Sequence, residues 1–184
     1  ILATGVEVKM NQNIGTEEMK EIHKFYDATY VAIGAHTDKK LGLEGEDSKN
    51  VISAVDMLRE IGDGKYPDYT GKRVVVVGGG NVAMDCARTA IRANAETVSI
   101  VYRRRQEDMT ALPAEVEGAV AEGIELVTLK APLRVEADAE GNACALWVQP
   151  QIIGPVRGGR PSPRKANKPE ERMECDIVLV AIGQ

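Results

Sequence analysis

The chain is 184 residues long, and its 43% apolar and 28% charged residues are typical of a globular protein that can bury a hydrophobic core. The formal net charge of -5 argues against nucleic acid as the main partner, because phosphate backbones are held by basic surfaces. No apolar run approaches the roughly 20 residues of a membrane helix, and the first residues lack the layout of a signal peptide. These features predict a soluble protein with no membrane partner.

The cysteines and the two ends of the chain add two expectations. Cys86, Cys144 and Cys175 lie far apart with no C-x-x-C pair, so they predict neither a zinc site nor an iron–sulfur cluster and favour the reduced thiols of a cytoplasmic protein. The chain begins at Ile1 without an initiator methionine and closes on an apolar strand that runs into a turn at residues 177–184. We therefore expect the sequence to be part of a longer protein.

The first part of the chain predicts short elements separated by a long loop. Val6 and Val8 alternate with polar residues and indicate a strand, and Thr16 can cap a helix that runs to about residue 26. Residues 28–34 indicate a strand ending in glycine, and residues 35–50 a turn-rich loop that could act as a hinge. A further helix is expected from Ser53 to about residue 61.

From residue 72 onward, strands alternate with helices. Val74 to Val77 form a continuous β-branched run of the kind found in strands buried on both faces of a parallel sheet. The segments that follow are a helix over 81–92, a strand over 97–102, a helix over 113–122 and a strand over 124–129. This βαβαβ order predicts an α/β fold with a Rossmann-like parallel sheet and flanking helices.

The last third of the chain changes its hydrophobic period to two. Strands over 133–137 and 143–150, with a turn at residues 140–142, predict an antiparallel excursion from the parallel sheet. Residues 154–171 are rich in Gly, Pro, Lys and Arg, and we interpret them as an exposed loop whose charges are solvated. A strand over 176–182 then returns to the core.

The motif that carries chemistry is the glycine turn, residues 78–83, with the sequence Gly-Gly-Gly-Asn-Val-Ala. It follows a buried strand and opens a helix, which is the context that a dinucleotide-binding G-x-G-x-x-G/A pattern requires. Gly78 permits the tight turn, Gly80 lets backbone N–H groups approach the pyrophosphate, and Ala83 allows the helix to pack closely on the strand. The diphosphate would rest at the helix N-terminus, where unpaired N–H groups favour negative charge.

The residues after the second strand of the βαβαβ unit favour NADP(H) over NAD(H). An NAD site places an acidic residue there, but this chain has Arg103, Arg104 and Arg105. Guanidinium groups bind a 2′-phosphate in a charge-assisted fork, whereas a carboxylate would repel it. The same arginines argue against a methyltransferase-like fold that binds S-adenosylmethionine, because that fold also requires an acidic strand end.

Together these segments resemble a known family, the NADPH-dependent glutamate synthase small (beta) subunit and its relatives, which include the flavin region of dihydropyrimidine dehydrogenase. The resemblance covers nearly the whole chain. It rests on VVVVGGGNVAMDCARTA, VSIVYRRR, ALPAEVEGAVAEGIEL, YDATYVAIGA and CDIVLVAIGQ. It departs from the family at residues 109–112, Met-Thr-Ala-Leu, where a further arginine is often found.

The resemblance implies a flavoprotein in which an NADP domain is inserted into an FAD domain. Residues 1–35 would be a remnant of the FAD-binding domain, and residues 36–184 the NADP(H)-binding Rossmann-like domain. FAD would be bound mostly by segments outside this chain. The implied contacts to the nucleotide are Gly79, Gly80, Asn81 and Val82 on the pyrophosphate, Arg103 and Arg104 on the 2′-phosphate, and Ala181, Ile182 and Gly183 beside the nicotinamide. Ala32-Ile33-Gly34 would mark the first crossing between the domains.

The expected activity is hydride transfer from NADPH to the flavin, which needs stacked rings and no catalytic side chain. Implied partners are the flavin domain of the parent chain and a large subunit or an iron–sulfur protein. His23 and His36 are expected on the surface, and Cys86 in the packing of the nucleotide helix. An NADP-binding module with a regulatory or structural role, without redox turnover, remains the alternative.

Overall fold

The computed structural model describes residues 2–34 and 36–183. The chain divides into two compact units, Ile1–Gly34 and Ala35–Gln184, and each is described by itself. Within the described ranges, no helix combines the length and the hydropathy that crossing a bilayer requires.

The first unit contains one α-helix, α1 (Thr16–Phe25), and a short 3-10 turn at Leu2–Thr4. Helix α1 was expected from the sequence, and the Glu18 carboxylate closes its start by accepting a hydrogen bond from the Gly15 N–H at 3.0 Å. The strands expected at Val6 and Val8 and over 28–34 do not form, and both segments are coil. A strand requires a neighbouring strand for its backbone groups, and the described part of this unit has no strand to pair with.

The second unit is built on a five-stranded parallel sheet. Its strands are β1 (Val51–Ser53), β2 (Arg73–Val77), β3 (Thr97–Tyr102), β4 (Glu125–Thr128) and β9 (Ile177–Val180). They lie in the order β1-β9-β2-β3-β4. Three helices connect them, α2 (Ala54–Gly62), α3 (Asn81–Arg92) and α4 (Pro113–Ala121). The last strand in the sequence therefore lies beside the strand that leads into the glycine turn.

An antiparallel sheet covers the other face of the parallel sheet. It comprises β5 (Lys130–Ala137), β6 (Ala143–Arg157), β7 (Arg160–Lys165) and β8 (Glu171–Glu174), with β6 paired to the other three. Alternate side chains of β2 show the resulting layers. Val74 and Val76 pack in the cluster that contains the helices, whereas Val75 and Val77 pack against Leu146 and other residues of the antiparallel sheet. This double burial explains the unbroken valine run.

The predicted loop over 154–171 was wrong, because most of this segment is strand. Strand β6 runs on to Arg157, turns at Gly158-Gly159 with positive φ angles of 59° and 78°, and returns as β7. A Gly-Gly pair suits such a two-residue hairpin turn. Prolines at 161 and 163 argued against a strand, but β7 is an edge strand, where a missing N–H is tolerated.

Candidate nucleotide-binding site

The parallel sheet brings the predicted site residues to one edge. Strand β2 pairs with β3 and β9 so that Val77 is in register with Val101 and Val180. Because parallel strands end at the same edge, the segments that follow these three strands are neighbours. The residues placed there are Gly78, Gly79, Gly80, Asn81 and Val82 after β2, Arg103 and Arg104 after β3, and Ala181, Ile182 and Gly183 after β9.

Two positions of the glycine turn are glycine because no side chain fits. Gly78 has a φ of 153°, and a Cβ there would lie 2.2 Å from the carbonyl oxygen of Ala181. A Cβ on Gly79 would lie 2.5 Å from Cε2 of the Tyr102 ring. The turn therefore packs between the end of β9 and the end of β3, with no room for a side chain on either side.

The third glycine, Gly80, leaves the backbone at the start of α3 accessible, and residues 79–82 are hereafter called the pyrophosphate cradle. A Cβ on Gly80 would meet only the Thr110 hydroxyl, at 3.4 Å. In the described part of the chain, the backbone N–H groups of residues 79–82 have no hydrogen-bond acceptor, and the Gly80 N-cap makes no side-chain bond. Free N–H groups at a helix N-terminus, approached closely across a glycine, fit a pyrophosphate.

A loop after β3, residues 103–112 and hereafter the arginine loop, is fastened to the glycine turn. The Gly79 carbonyl accepts hydrogen bonds from the N–H groups of Thr110 at 2.9 Å and Ala111 at 3.1 Å. The Asn81 side chain accepts a bond from the Leu112 N–H at 2.9 Å. Sequence reasoning missed these contacts, because nothing local marks residues 110–112 as partners of the turn. They set the position of the arginines relative to the pyrophosphate cradle.

The arginines at the end of β3 have different surroundings. Arg103 is exposed and has no hydrogen bond or ion pair with the described residues. Arg104 donates from Nε to the carbonyl of Pro161 at 2.9 Å. Arg105 is paired with Glu107 and Asp108, each at 2.9 Å, and its guanidinium holds the pKa of the Asp108 carboxyl below its usual range. Arg103 and Arg104 therefore have donors available for an anion, whereas the charge of Arg105 is already balanced.

The segment after β9 lies at the same sheet edge, on the side of the glycine turn that faces β1. Ala181 is buried, and its N–H donates to the Val77 carbonyl at 2.8 Å. The Gly183 carbonyl accepts a bond from the Lys39 N–H at 3.0 Å. A cavity of about 340 Å³ lies alongside, lined by Val180, Val51 and polar residues of segment 38–56. The cavity therefore reaches the last residue of β9, directly before Ala181.

The histidines and Cys86 are not among the residues placed at this sheet edge. His23 and His36 are exposed, as expected. Burial raises the pKa of the Cys86 thiol to about 12, which keeps it protonated and inert. Cys86 packs in the core with α3, as the sequence indicated. Among residues 2–34 and 36–183, no group of three or more His, Cys, Asp or Glu is arranged to hold a metal ion.

Sequence comparison relates the chain to nucleotide-dependent oxidoreductases. The sequence model described as pyridine nucleotide-disulphide oxidoreductase matches residues 2–184. The NADP(+)-dependent formate dehydrogenase subunit beta of Moorella thermoacetica is 38% identical over 188 residues, which are 100% of this chain and 26% of that protein. The NADPH glutamate synthase small chain of Escherichia coli is 32% identical over 191 residues, covering 97% of this chain and 40% of that protein. The chain thus spans less than half of the length of these relatives.

Solved structures confirm the predicted α/β fold. Mycobacterium tuberculosis FprA in complex with NADPH has a TM-score of 0.71 at 20% identity, covering 89% of this chain and 51% of that chain. Thioredoxin reductase of T. acidophilum has a TM-score of 0.60 at 19% identity, covering 80% of this chain and 41% of that chain. The resemblance to the glutamate synthase small subunit that was drawn from sequence motifs is also confirmed, by the relatives above.

Proposed function

Because the chain belongs to the pyridine nucleotide-disulphide oxidoreductase family, we propose that it is the NADP(H)-binding part of an FAD-dependent oxidoreductase. The observation that carries this proposal is that free backbone N–H groups at the start of α3 and arginines with available donors occur together at one edge of the sheet. The N–H groups of residues 79–82 bind the pyrophosphate, and Arg103 and Arg104 bind the 2′-phosphate. When bound, NADPH would supply a hydride for the flavin.

The residues of this chain bind and orient the nucleotide. Gly78 and Gly79 let the turn pack closely on Ala181 and Tyr102, so the cradle is held rigidly at the strand ends. In this proposal Ala181, Ile182 and Gly183 lie beside the nicotinamide, and Val180, which precedes them, lines the cavity of about 340 Å³. No side chain has to exchange a proton for hydride transfer, because the reacting rings carry the electronic change themselves.

We assign the flavin mainly to segments outside this chain, with residues 1–35 as a remnant of the flavin domain and 36–184 as the NADP(H) domain. The first unit supports this assignment, because none of its described residues is buried. Most of its large apolar side chains are exposed, among them Phe25, Tyr26 and Tyr30. A surface of this kind requires a covering partner. The covering partner in this proposal is the rest of the flavin domain.

The partners and the acceptor of the whole protein are proposed at a coarser level. Relatives are named as a subunit beta of formate dehydrogenase, a subunit beta of an NADPH-Fe(3+) oxidoreductase and a small chain of glutamate synthase. These names share NADP(H) and differ in the second reactant. We therefore propose assembly with a larger subunit or an iron–sulfur protein in the cytoplasm, and the identity of that partner sets the terminal acceptor.

The proposal is tested by nucleotide titration and flavin reduction in the intact protein. Calorimetry should give tighter binding of NADP+ than of NAD+, and an Arg103→Ala/Arg104→Ala variant should lose that preference. In stopped-flow experiments NADPH should bleach the flavin absorbance faster than NADH at equal concentration. Equal affinity of the wild type for both nucleotides would overturn the assignment to NADP(H). Tight NADP+ binding without any flavin reduction would point to a module without redox turnover.

A further inference from the structure

The β6–β7 hairpin, residues 151–165, brings a distant arginine to the arginine loop. Arg160 is the first residue of β7, directly after the Gly158-Gly159 turn. Its Nη2 donates to the Tyr102 hydroxyl at 2.9 Å and also to the carbonyl oxygen of Asp108. Tyr102 ends β3, so Arg160 reaches the same sheet edge as Arg103 and Arg104 across more than fifty residues of sequence.

The hairpin is attached to the arginine loop at further points. The Arg104 side chain donates from Nε to the carbonyl of Pro161, the residue next to Arg160, at 2.9 Å. At the base of the hairpin, the Gln151 N–H donates to the Leu129 carbonyl at 2.7 Å, and the Leu129 N–H donates to the Arg104 carbonyl at 3.0 Å. Arg104 is thus bonded to the hairpin directly through its side chain. Its main-chain carbonyl is bonded to the hairpin indirectly, by way of Leu129.

The Tyr102 ring connects Arg160 to the glycine turn. One side of the ring lies against Gly79, where a Cβ would come within 2.5 Å of it. The Tyr102 hydroxyl donates to the Asp108 carbonyl at 2.8 Å and accepts from Arg160. The ring therefore spans from the pyrophosphate cradle to the guanidinium of Arg160, which places that charge on the side of the cradle where the arginine loop lies.

Arg160 retains donors and an unbalanced charge. Both of its bonds come from Nη2, and within the described ranges Nε and Nη1 have no acceptor. Its two acceptors are a hydroxyl and a carbonyl, which are neutral. The nearby carboxylates of Glu107 and Asp108 are instead paired with Arg105. A half-buried guanidinium with free donors and no counter-ion among the described residues is suited to an anionic ligand.

We propose that Arg160 is a third arginine of the 2′-phosphate site, beside Arg103 and Arg104, and thereby a determinant of the preference for NADP(H). This inference rests on the proposed function. It also reverses the interpretation of the segment 154–171 as a solvated loop, because the hairpin forms one wall of the nucleotide site. Arg105 belongs to the same run of arginines in the sequence, but its charge is neutralised by Glu107 and Asp108. In this proposal Arg160 replaces it as the third arginine at the 2′-phosphate.

The test compares NADP+ with NAD+ in the intact protein, because the two nucleotides differ only by the 2′-phosphate. An Arg160→Ala variant should bind NADP+ about tenfold more weakly, the effect of losing one charge-assisted contact. Its affinity for NAD+ should stay within about twofold of the wild type. The dissociation constant of NADP+ should also depend less steeply on salt concentration, because one ionic contact is missing.

Two further variants serve as controls. Arg164→Ala removes an equal charge from the same strand. The Arg164 side chain is exposed and makes no hydrogen bond to any described residue, so this variant should bind both nucleotides like the wild type. Arg160→Lys keeps the charge and should recover part of the NADP+ affinity, even if Arg160→Ala disturbs the hairpin.

The outcomes separate this inference from the proposed function. Unchanged NADP+ affinity in Arg160→Ala would overturn the inference and leave the function intact. An equal loss for NADP+ and NAD+ would also overturn it, because Arg160 would then only brace the glycine turn through Tyr102. A wild-type protein that binds neither nucleotide would overturn the function itself, and this inference with it.

Discussion

Gly78 lies so close to Ala181 that a Cβ on residue 78 would come within 2.2 Å of the Ala181 carbonyl oxygen. These two residues follow β2 and β9, which are far apart in the sequence and adjacent in the sheet. Their contact joins the pyrophosphate cradle to the strand end proposed to lie beside the nicotinamide.

Gly78→Ala should destabilise the protein strongly. The methyl group would overlap the Ala181 carbonyl, and the φ of 153° disfavours any residue with a Cβ. We expect a loss of about 3 kcal/mol in the free energy of unfolding, the scale of overpacking combined with backbone strain. Urea unfolding followed by circular dichroism measures it. A stability equal to that of the wild type would contradict the close packing of the turn.

Gly80→Ala should leave the stability nearly unchanged but weaken nucleotide binding. Its added Cβ meets only the Thr110 hydroxyl at 3.4 Å, and the backbone at φ -104° and ψ 177° suits any residue. We expect stability within about 1 kcal/mol of the wild type but NADP+ affinity lowered about tenfold or more, because the methyl occupies the approach of the pyrophosphate. Calorimetry and urea unfolding test the two halves separately.

A second glycine-to-alanine change controls for Gly80→Ala. Gly118 lies within α4, and its added Cβ would have only ordinary contacts with the Arg88 guanidinium. Gly118→Ala should therefore stabilise the protein by about 0.5 to 1 kcal/mol and leave nucleotide binding unchanged. If both alanine variants weakened NADP+ binding equally, the special position of Gly80 would be disproved.

The thiols of Cys86 and Cys175 should be unreactive in the folded protein. Burial raises the pKa of each to about 12, so almost no thiolate exists near neutral pH. We expect neither to react with a disulfide reagent under native conditions and both to react in urea. Cys144, which is half-buried, is the internal comparison. Mass spectrometry identifies the modified residue, and native labelling of Cys86 ahead of Cys144 would contradict the burial.

Glu136 should stabilise the antiparallel sheet at neutral pH but not in acid. Hydrogen bonds from Arg172 and from the Trp147 indole, the latter at 2.7 Å, lower the pKa of Glu136 to about 2. A carboxyl whose pKa is lower in the folded state contributes stability above its unfolded pKa of about 4.3. That contribution is lost as the pH falls towards the folded value.

Glu136→Gln tests this pH dependence. The variant should have a lower urea midpoint than the wild type at pH 7, with a difference that shrinks as the pH falls below about 4. Glu140→Gln is the matched control, because the Glu140 side chain makes no hydrogen bond or ion pair with the described residues. A difference that stayed constant from neutral to acidic pH would rule out the ionised carboxylate as its source.

Much of the second unit could be predicted because its signals are local. The buried run at Val74 to Val77, the glycines after it and helix α3 are adjacent in the sequence, and each predicts the next. Strands β7 and β8 were missed, because their polar and proline-rich sequences look like loop, and only pairing with β6 makes them strands. The strands expected before residue 35 were wrong for the converse reason, since an apolar pattern forms no strand without a partner.

The sequence by itself determined the glycine turn, its helix and the arginines after β3, since turn geometry, N-terminal N–H groups and strand periodicity depend on neighbouring residues. Only the tertiary structure decided which arginines are available. Arg105 is paired with its own loop, whereas Arg160 arrives from the β6–β7 hairpin. The contacts of Gly78 with Ala181 and of Arg160 with Tyr102 depend on the order of the strands and on the stacking of the two sheets. Many weak pairings between distant residues determine that arrangement together, so no local pattern encodes it.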